Sequence, residues 1–190
     1  HPLIPRPETE WWTEELAQQI GNHSVSVLDL CAGSGAIGLA LLKLCPNAHI
    51  TFVELVPEHA ALIEKNIVEN GLDASRTVVR TGDLFAPFSH ERFDIIATNP
   101  PYVPQTRALD TGVTSFEPKE ALFAGDDGMD VISRIIEDAR EHLTDTGELW
   151  MECDIENIAA AKELLLDKGY SSAEIRTDQY GRERIVVAHL

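Results

Sequence analysis

Apolar positions along the chain come in short runs, separated by stretches with helical spacing. Val25–Leu30 (VSVLDL), His49–Glu54 (HITFVE), Arg76–Thr81, Phe93–Thr98 (FDIIAT), Gly147–Cys153 (GELWMEC) and Glu183–Leu190 (ERIVVAHL) predict six strands. Helices are predicted between them. Gly38–Leu44 stops at Pro46, and Pro57 opens a helix to about Asn70 with Gly71 just past its end. Gly128–Leu143 places Val131, Ile132, Ile135, Ile136, Ala139 and Leu143 on a 3.6-residue period, and Ile155–Lys168 ends at Gly169. Trp11, Trp12, Leu16 and Ile20 mark a further helix ahead of the first strand, read as packing against the sheet. Strands separated by helices predict an α/β fold: a doubly wound, mostly parallel sheet with helices on both faces. Ligands on such a sheet bind at the C-terminal strand ends, where strand order reverses. The longest irregular stretch, Val103–Asp127, follows the fourth strand directly, and a loop of that length in a compact domain is usually functional or mobile.

The chain has 190 residues, 44% hydrophobic and 25% charged, which suits one globular domain over residues 1–190. Fifteen basic against 32 acidic residues give a net charge of −17. That excludes a protein holding nucleic acid mainly through phosphate neutralisation and disfavours an anionic membrane surface. No apolar run approaches the ~20 residues of a bilayer span. Cys31, Cys45 and Cys153 form no C-x-x-C pair, so a reducing, intracellular compartment is expected. The seven histidines show no ligand spacing, and no metal is predicted. The chain starts at His1, inside what already reads as a motif, which suggests a fragment lacking an N-terminal region.

Gly33-Ser34-Gly35-Ala36-Ile37-Gly38 fits G-x-G-x-x-G after a strand and before a helix, with Glu54 ending the next strand. By itself this turn suits a nicotinamide dinucleotide and S-adenosylmethionine (AdoMet) equally. Asp29 at the strand mouth opposes a pyrophosphate but suits the ammonium of a methionyl ligand. Glu54 can accept both ribose hydroxyls of either cofactor. Asp83, after the third strand, can accept from an adenine amine with Leu84 against the ring, but a plain Asx turn explains it as well. Cys31 in the turn reads as a small filler, and Asp126-Asp127 as a solvated turn.

Asn99-Pro100-Pro101-Tyr102 follows the fourth strand. Two prolines carry no N–H and fix φ, so the segment leaves the ladder and presents carbonyls rigidly. The Asn99 side-chain oxygen and the Pro100 carbonyl can both accept from one –NH₂ group, and Tyr102 offers a flat face for a planar amide or base. The motif is built to hold such a group and aim its nitrogen.

Taken together, these residues resemble the class I AdoMet-dependent methyltransferases that act on amide or amine nitrogen. More closely, the chain is similar to the HemK/PrmC-type release factor glutamine N5-methyltransferases. Leu3–Glu10 reads like that family's entry motif, Asp29–Gly38 its cofactor loop, Glu54 its ribose acid and Asn99–Tyr102 its active-site tetrapeptide. Phe116-Glu117-Pro118, Ala121-Leu122 and Tyr180-Gly181…Glu183-Arg184 also match.

The resemblance implies a seven-stranded sheet with the last strand antiparallel. It implies Asp29, Cys31, Ala32, Gly33, Ser34, Gly35, Glu54, Asp83, Leu84 and Asn99 as cofactor residues. It implies Asn99, Pro100 and Tyr102 as catalytic, and Thr9, Glu10, Asn99, Pro100, Pro101 and Tyr102 as substrate-binding. For Thr9 and Glu10, helix capping is the alternative. The implied product is S-adenosylhomocysteine and the implied partner a release factor. A monomer in a bacterial cytoplasm or mitochondrial matrix is expected, without direct nucleic-acid or membrane contact.

Two departures stand out. The family's small N-terminal helical domain is absent from the chain, and Glu152 is followed by Cys153-Asp154 where the family favours an apolar residue and Gly, so only Glu152 carries over. NPPY is shared with adenine-N6 methyltransferases of DNA and RNA, whereas a dinucleotide-dependent oxidoreductase would leave NPPY unused.

Overall fold

Alternation along each strand decides which side every helix covers. In β1 (Ser26–Leu30), Val27 faces one way and Leu28 and Leu30 the other. The pattern repeats in β2 (His49–Glu54), β4 (Phe93–Thr98), β5 (Leu143–Glu152) and β7 (Glu183–His189). On the Val27 face, Phe52, Ala97, Trp150 and Val187 pack under α1 (Pro7–Ile20), α2 (Ala36–Leu44) and α3 (Pro57–Glu69). On the opposite face, Leu28, Ile96, Leu149 and Val186 pack under α4 (Asp130–Ala139) and α5 (Ile158–Asp167). Both faces are therefore buried, the arrangement of a doubly wound sheet.

The computed structural model describes residues 2–103 and 128–190. The predicted Phe116–Pro118, Ala121-Leu122 and Asp126-Asp127 features, and nearly all of Val103–Asp127, lie outside the described residues. The sheet has seven strands in the order β3-β2-β1-β4-β5-β7-β6, with β3 at Thr77–Thr81 and β6 at Ser172–Thr177. Pairing is parallel from β3 across to β5, and β7 runs antiparallel to both neighbours. No helix among the described residues is long and apolar enough to cross a membrane.

Several elements differ from their predicted bounds. α4 ends at Ala139, and Arg140–His142 continues as a 3₁₀ turn. β5 starts at Leu143 rather than Gly147, with a register shift between Phe93 and Ile95 on its partner β4. β6 is not evident from the pattern, because an edge strand whose half-buried positions are only Ala173, Ile175 and Arg176 carries a weak apolar signal. Gly38 shows a close approach: a Cβ there would lie 2.3 Å from Cε1 of Phe52, so only glycine lets α2 settle onto β2.

Candidate active site

The C-terminal ends of β1, β2, β3 and β4 converge on a cavity of about 210 Å³. It straddles β1 and β4, where the strand order reverses.

One half of the cavity is shaped by backbone. The chain leaves β1 through Cys31, which adopts a left-handed φ of 59°, uncommon for a residue with a side chain. The turn then brings the Gly33 N–H against Glu54, donating to Oε2 at 2.7 Å. The Val56 N–H donates to the other oxygen, Oε1, at 3.0 Å, and His59 Nδ1 lies 3.5 Å from that oxygen. Glu54 is thus fixed by main chain at both oxygens, and each oxygen keeps lone-pair capacity for a ligand hydroxyl. From α3, Asn66 Nδ2 donates to the Ser34 carbonyl at 3.0 Å and pins the turn from outside.

Asp29 stands behind this turn, outside the cavity wall. It is fully buried; its Oδ2 accepts from the Gly38 N–H at 2.8 Å, and its Oδ1 has no partner among the described residues. It satisfies one of the amides that the start of α2 would otherwise strand. Burial, reinforced by the nearby Glu54 charge and only partly offset by the Gly38 bond, pushes its carboxyl up to about 8. Burial and the Glu54 charge likewise push the Cys31 thiol up to about 12, which leaves it unreactive as a nucleophile. At the cavity mouth, Asp83 pairs with Arg134 of α4, Oδ2 to Nη2 at 2.7 Å.

The other half is shaped by side chains. Asn99 follows β4 into the cavity wall, and its Nδ2 donates to Thr9 Oγ1 at 3.1 Å. Its Oδ1 is buried and unpartnered among the described residues. Thr9 Oγ1 in turn donates to Glu152 Oε2 at 2.7 Å, and Trp12 Nε1 donates to the same oxygen at 2.8 Å. Glu152 is 1% exposed. Burial raises its carboxyl above the usual range, with Trp12, Thr9 and Arg184 pulling the other way.

Of the predicted residues, Thr9, Cys31, Ala32, Gly33, Ser34, Glu54, Asp83, Leu84, Asn99 and Pro101 line the cavity together. Asp29, Gly35, Glu10, Pro100 and Tyr102 do not. Glu10 is exposed on α1, because Thr9 turns inward and the next helical residue points about 100° away. Pro100 is buried. The Tyr102 hydroxyl reaches Glu152 Oε1 at 3.4 Å, and its backbone carbonyl accepts from Asn157 Nδ2 at 3.2 Å. Gly128 packs against that same carbonyl, where a Cβ would lie 2.2 Å from the oxygen. Burial and the neighbouring Glu152 charge raise the Tyr102 phenol above its ordinary range.

Sequence reasoning missed His59 and Arg134, both in the cavity wall. His59 had a signal in its place one turn after Glu54 at the start of α3. Arg134 had none, being a polar position on an otherwise ordinary amphipathic helix.

The mixed sheet, with β7 antiparallel and a glycine turn set against an acid at the switch point, defines a class I methyltransferase fold. A solved structure with that fold is the 16S rRNA N2 G1207 methyltransferase (RsmC) of T. thermophilus in complex with AdoMet and guanosine. It aligns with a TM-score of 0.73 at 20% identity, over 98% of this chain and 43% of that one. The family model of the methyltransferase small domain matches residues 9–116. A release factor glutamine methyltransferase of Geobacter sulfurreducens is 36% identical over 97% of this chain and 64% of its own length. That of Bordetella pertussis is 35% identical over 99% of this chain and 70% of its own. The chain belongs to the release factor glutamine methyltransferase family, and spans just under two thirds of the G. sulfurreducens relative.

Proposed function

We propose that residues 1–190 act as one methyl-transfer domain, moving the AdoMet methyl group to the N5 amide nitrogen of a glutamine in a release factor, within a Gly-Gly-Gln motif. The observation that carries this reading is Asn99 Oδ1, a buried acceptor without a partner among the described residues, on a side chain of the cavity wall. A stranded buried acceptor costs about 1–3 kcal/mol, so one carried by a residue of the cavity wall points to a ligand donor.

The residues present fit AdoMet. Glu54 lines the cavity with each oxygen held by a backbone N–H and with lone pairs left to accept ribose hydroxyls, and Leu84 and Val53 supply apolar wall for a flat ring. Asp83 can accept from an adenine amine if Arg134 shares it. When bound, AdoMet supplies an electrophilic methyl carbon on a sulfonium.

An amide nitrogen is a poor nucleophile because its lone pair is delocalised. Asn99 Oδ1 accepts one of its hydrogens and orients the nitrogen. With AdoMet bound, methyl transfer would build charge on the amide nitrogen, and its hydrogens would become stronger donors to the Asn99 oxygen. An acceptor fixed in advance then binds the transition state more tightly than the ground state. Burial excludes competing water, and the extra proton leaves to solvent after transfer. No cavity residue needs to take it up.

The test is mass spectrometry of a release factor after incubation with the protein and AdoMet. One added methyl on the Gly-Gly-Gln glutamine is expected. Methyl transfer to adenine in DNA or RNA, with none on the release factor, would refute the reading.

A further inference from the structure

A side-chain amide has two nearly isosteric ends, and only its oxygen end can accept from a substrate –NH₂. Turned over, Asn99 would present its own –NH₂ to the substrate and repel it. What fixes the choice is therefore as important as Asn99 itself. We infer that Glu152, acting through Thr9, is the positioning residue that keeps the Asn99 oxygen facing the cavity; this rests on the proposed methyl-transfer reading.

The argument is one of hydrogen counting. Glu152 Oε2 already accepts from the Trp12 indole N–H at 2.8 Å, and an indole N–H can only donate. That oxygen is thus fixed as an acceptor whether or not the carboxyl carries a proton on its other oxygen. The Thr9 hydroxyl, 2.7 Å from the same oxygen, must spend its single hydrogen there. Only lone pairs remain on Thr9 Oγ1, so the group facing it at 3.1 Å must be a donor, and Asn99 turns its nitrogen to Thr9. The carbonyl end, Oδ1, is left with no partner among the described residues, in a side chain that belongs to the cavity wall. The hydroxyl cannot rotate to another partner cheaply, because Thr9 is 4% exposed and its neighbour Glu152 is buried as well.

The same relay joins three parts of the chain. Trp12 and Thr9 come from α1, Glu152 from the end of β5 and Asn99 from the end of β4. Tyr102 reaches the other Glu152 oxygen at 3.4 Å, so the tetrapeptide is braced at both ends by one carboxylate. Glu152 touches no cavity surface and is not among the wall residues. Its effect on the reaction passes entirely through the neighbours it orients.

Thr9→Val tests this with little change in volume. It removes the hydroxyl, so Asn99 is no longer told which end to present. The expected result is a loss of about 10-fold or more in kcat, the scale of one lost hydrogen bond, with AdoMet affinity unchanged by calorimetry. Thr9→Ser, which keeps the hydroxyl, should recover most of the lost rate. A second readout does not depend on methylation. In ¹⁵N-labelled protein, the Asn99 side-chain –NH₂ signals, identified by their loss in Asn99→Ala, should exchange slowly with solvent. They should exchange faster in Thr9→Val and slowly again in Thr9→Ser. Thermal melts confirm folding, and Thr9→Ala provides a second deletion if the valine does not fold. Unchanged exchange in the folded deletion overturns the inference, as does altered exchange with an unaltered kcat. A wild-type protein with the expected exchange but no methyl transfer to a Gly-Gly-Gln peptide overturns the proposed function and leaves the amide orientation supported.

Discussion

The two halves of the cavity are held in different ways. Glu54 is fixed by backbone N–H groups of Gly33 and Val56, close to it in sequence and built into the sheet. Asn99 is fixed by side chains from α1 and β5, across 90 and then 143 positions of sequence. Main-chain donors survive every substitution except proline and move only with the strands. Side-chain donors are individually replaceable and depend on a helix staying docked. The cofactor half should therefore fail only when its own acid is removed, whereas the reactive half should fail from several distant positions.

The largest expected effect is on the reactive half. Asn99→Ala should lower methyl transfer by at least ~10²-fold, as when one preorganised transition-state partner is lost, while calorimetry finds AdoMet affinity nearly intact. Near-normal turnover in a folded Asn99→Ala protein would erase the contrast. Next is Glu54→Ala, which should weaken AdoMet binding by about 1–3 kcal/mol and leave the Asn99 amide signals in place. If it disturbed both, the halves would not be separable.

The third prediction concerns Asp29, which lies beneath the cofactor half. Its carboxyl is pushed from an ordinary 3.8 to about 8 in the folded protein. The unfolded chain releases that proton near pH 4, and the folded protein holds it until about pH 8. The fold therefore loses stability progressively as pH rises through that window, and the loss is complete above it. Asp29→Asn keeps the acceptor for Gly38 and cannot ionise. Urea unfolding at pH 5 and pH 9 should show the variant gaining on wild type by about 4 kcal/mol at the higher pH, roughly 1.4 kcal/mol for each of the three pH units crossed below the folded value. A parallel pH dependence in the two proteins would count against the burial argument. The smallest effect is expected for Arg182→Ala. Arg182 ties Glu8 at the start of α1 to Asp178, but is itself 43% exposed. Its loss should lower the melting temperature only slightly, as for an exposed ion pair, and lower kcat before it changes AdoMet affinity.

The same division explains what could be read from sequence. The sheet was legible because both faces are buried and the central strands are continuous apolar runs. β6, half-buried at an edge, was not. Gly33, Glu54 and Asn99 were legible because each sits at a fixed offset from a strand end. The charge of Asp29 at a strand mouth suggests a ligand ammonium. The structure places it behind the turn, where a backbone amide of α2 uses it. Tyr102 was read as a platform for the substrate, yet it braces Glu152 from outside the cavity wall. The Thr9–Glu152 link has no local signature at all, since 143 positions separate two residues that meet only after the sheet is assembled.

That separation also bears on how the site comes into being. Residues of α1 leave the ribosome well before the strands they rest on: Trp12 waits for Glu152, Gln19 for Glu148 and Glu8 for Arg182. Glu54 and the glycine turn it accepts from are only 21 positions apart and can close early. Contacts of long sequence separation form late because loop closure costs entropy before they repay it. A nascent chain would thus have the Gly33–Glu54 half of the cavity nearly finished while Asn99 still lacked its bearing, so the two halves would mature in sequence order.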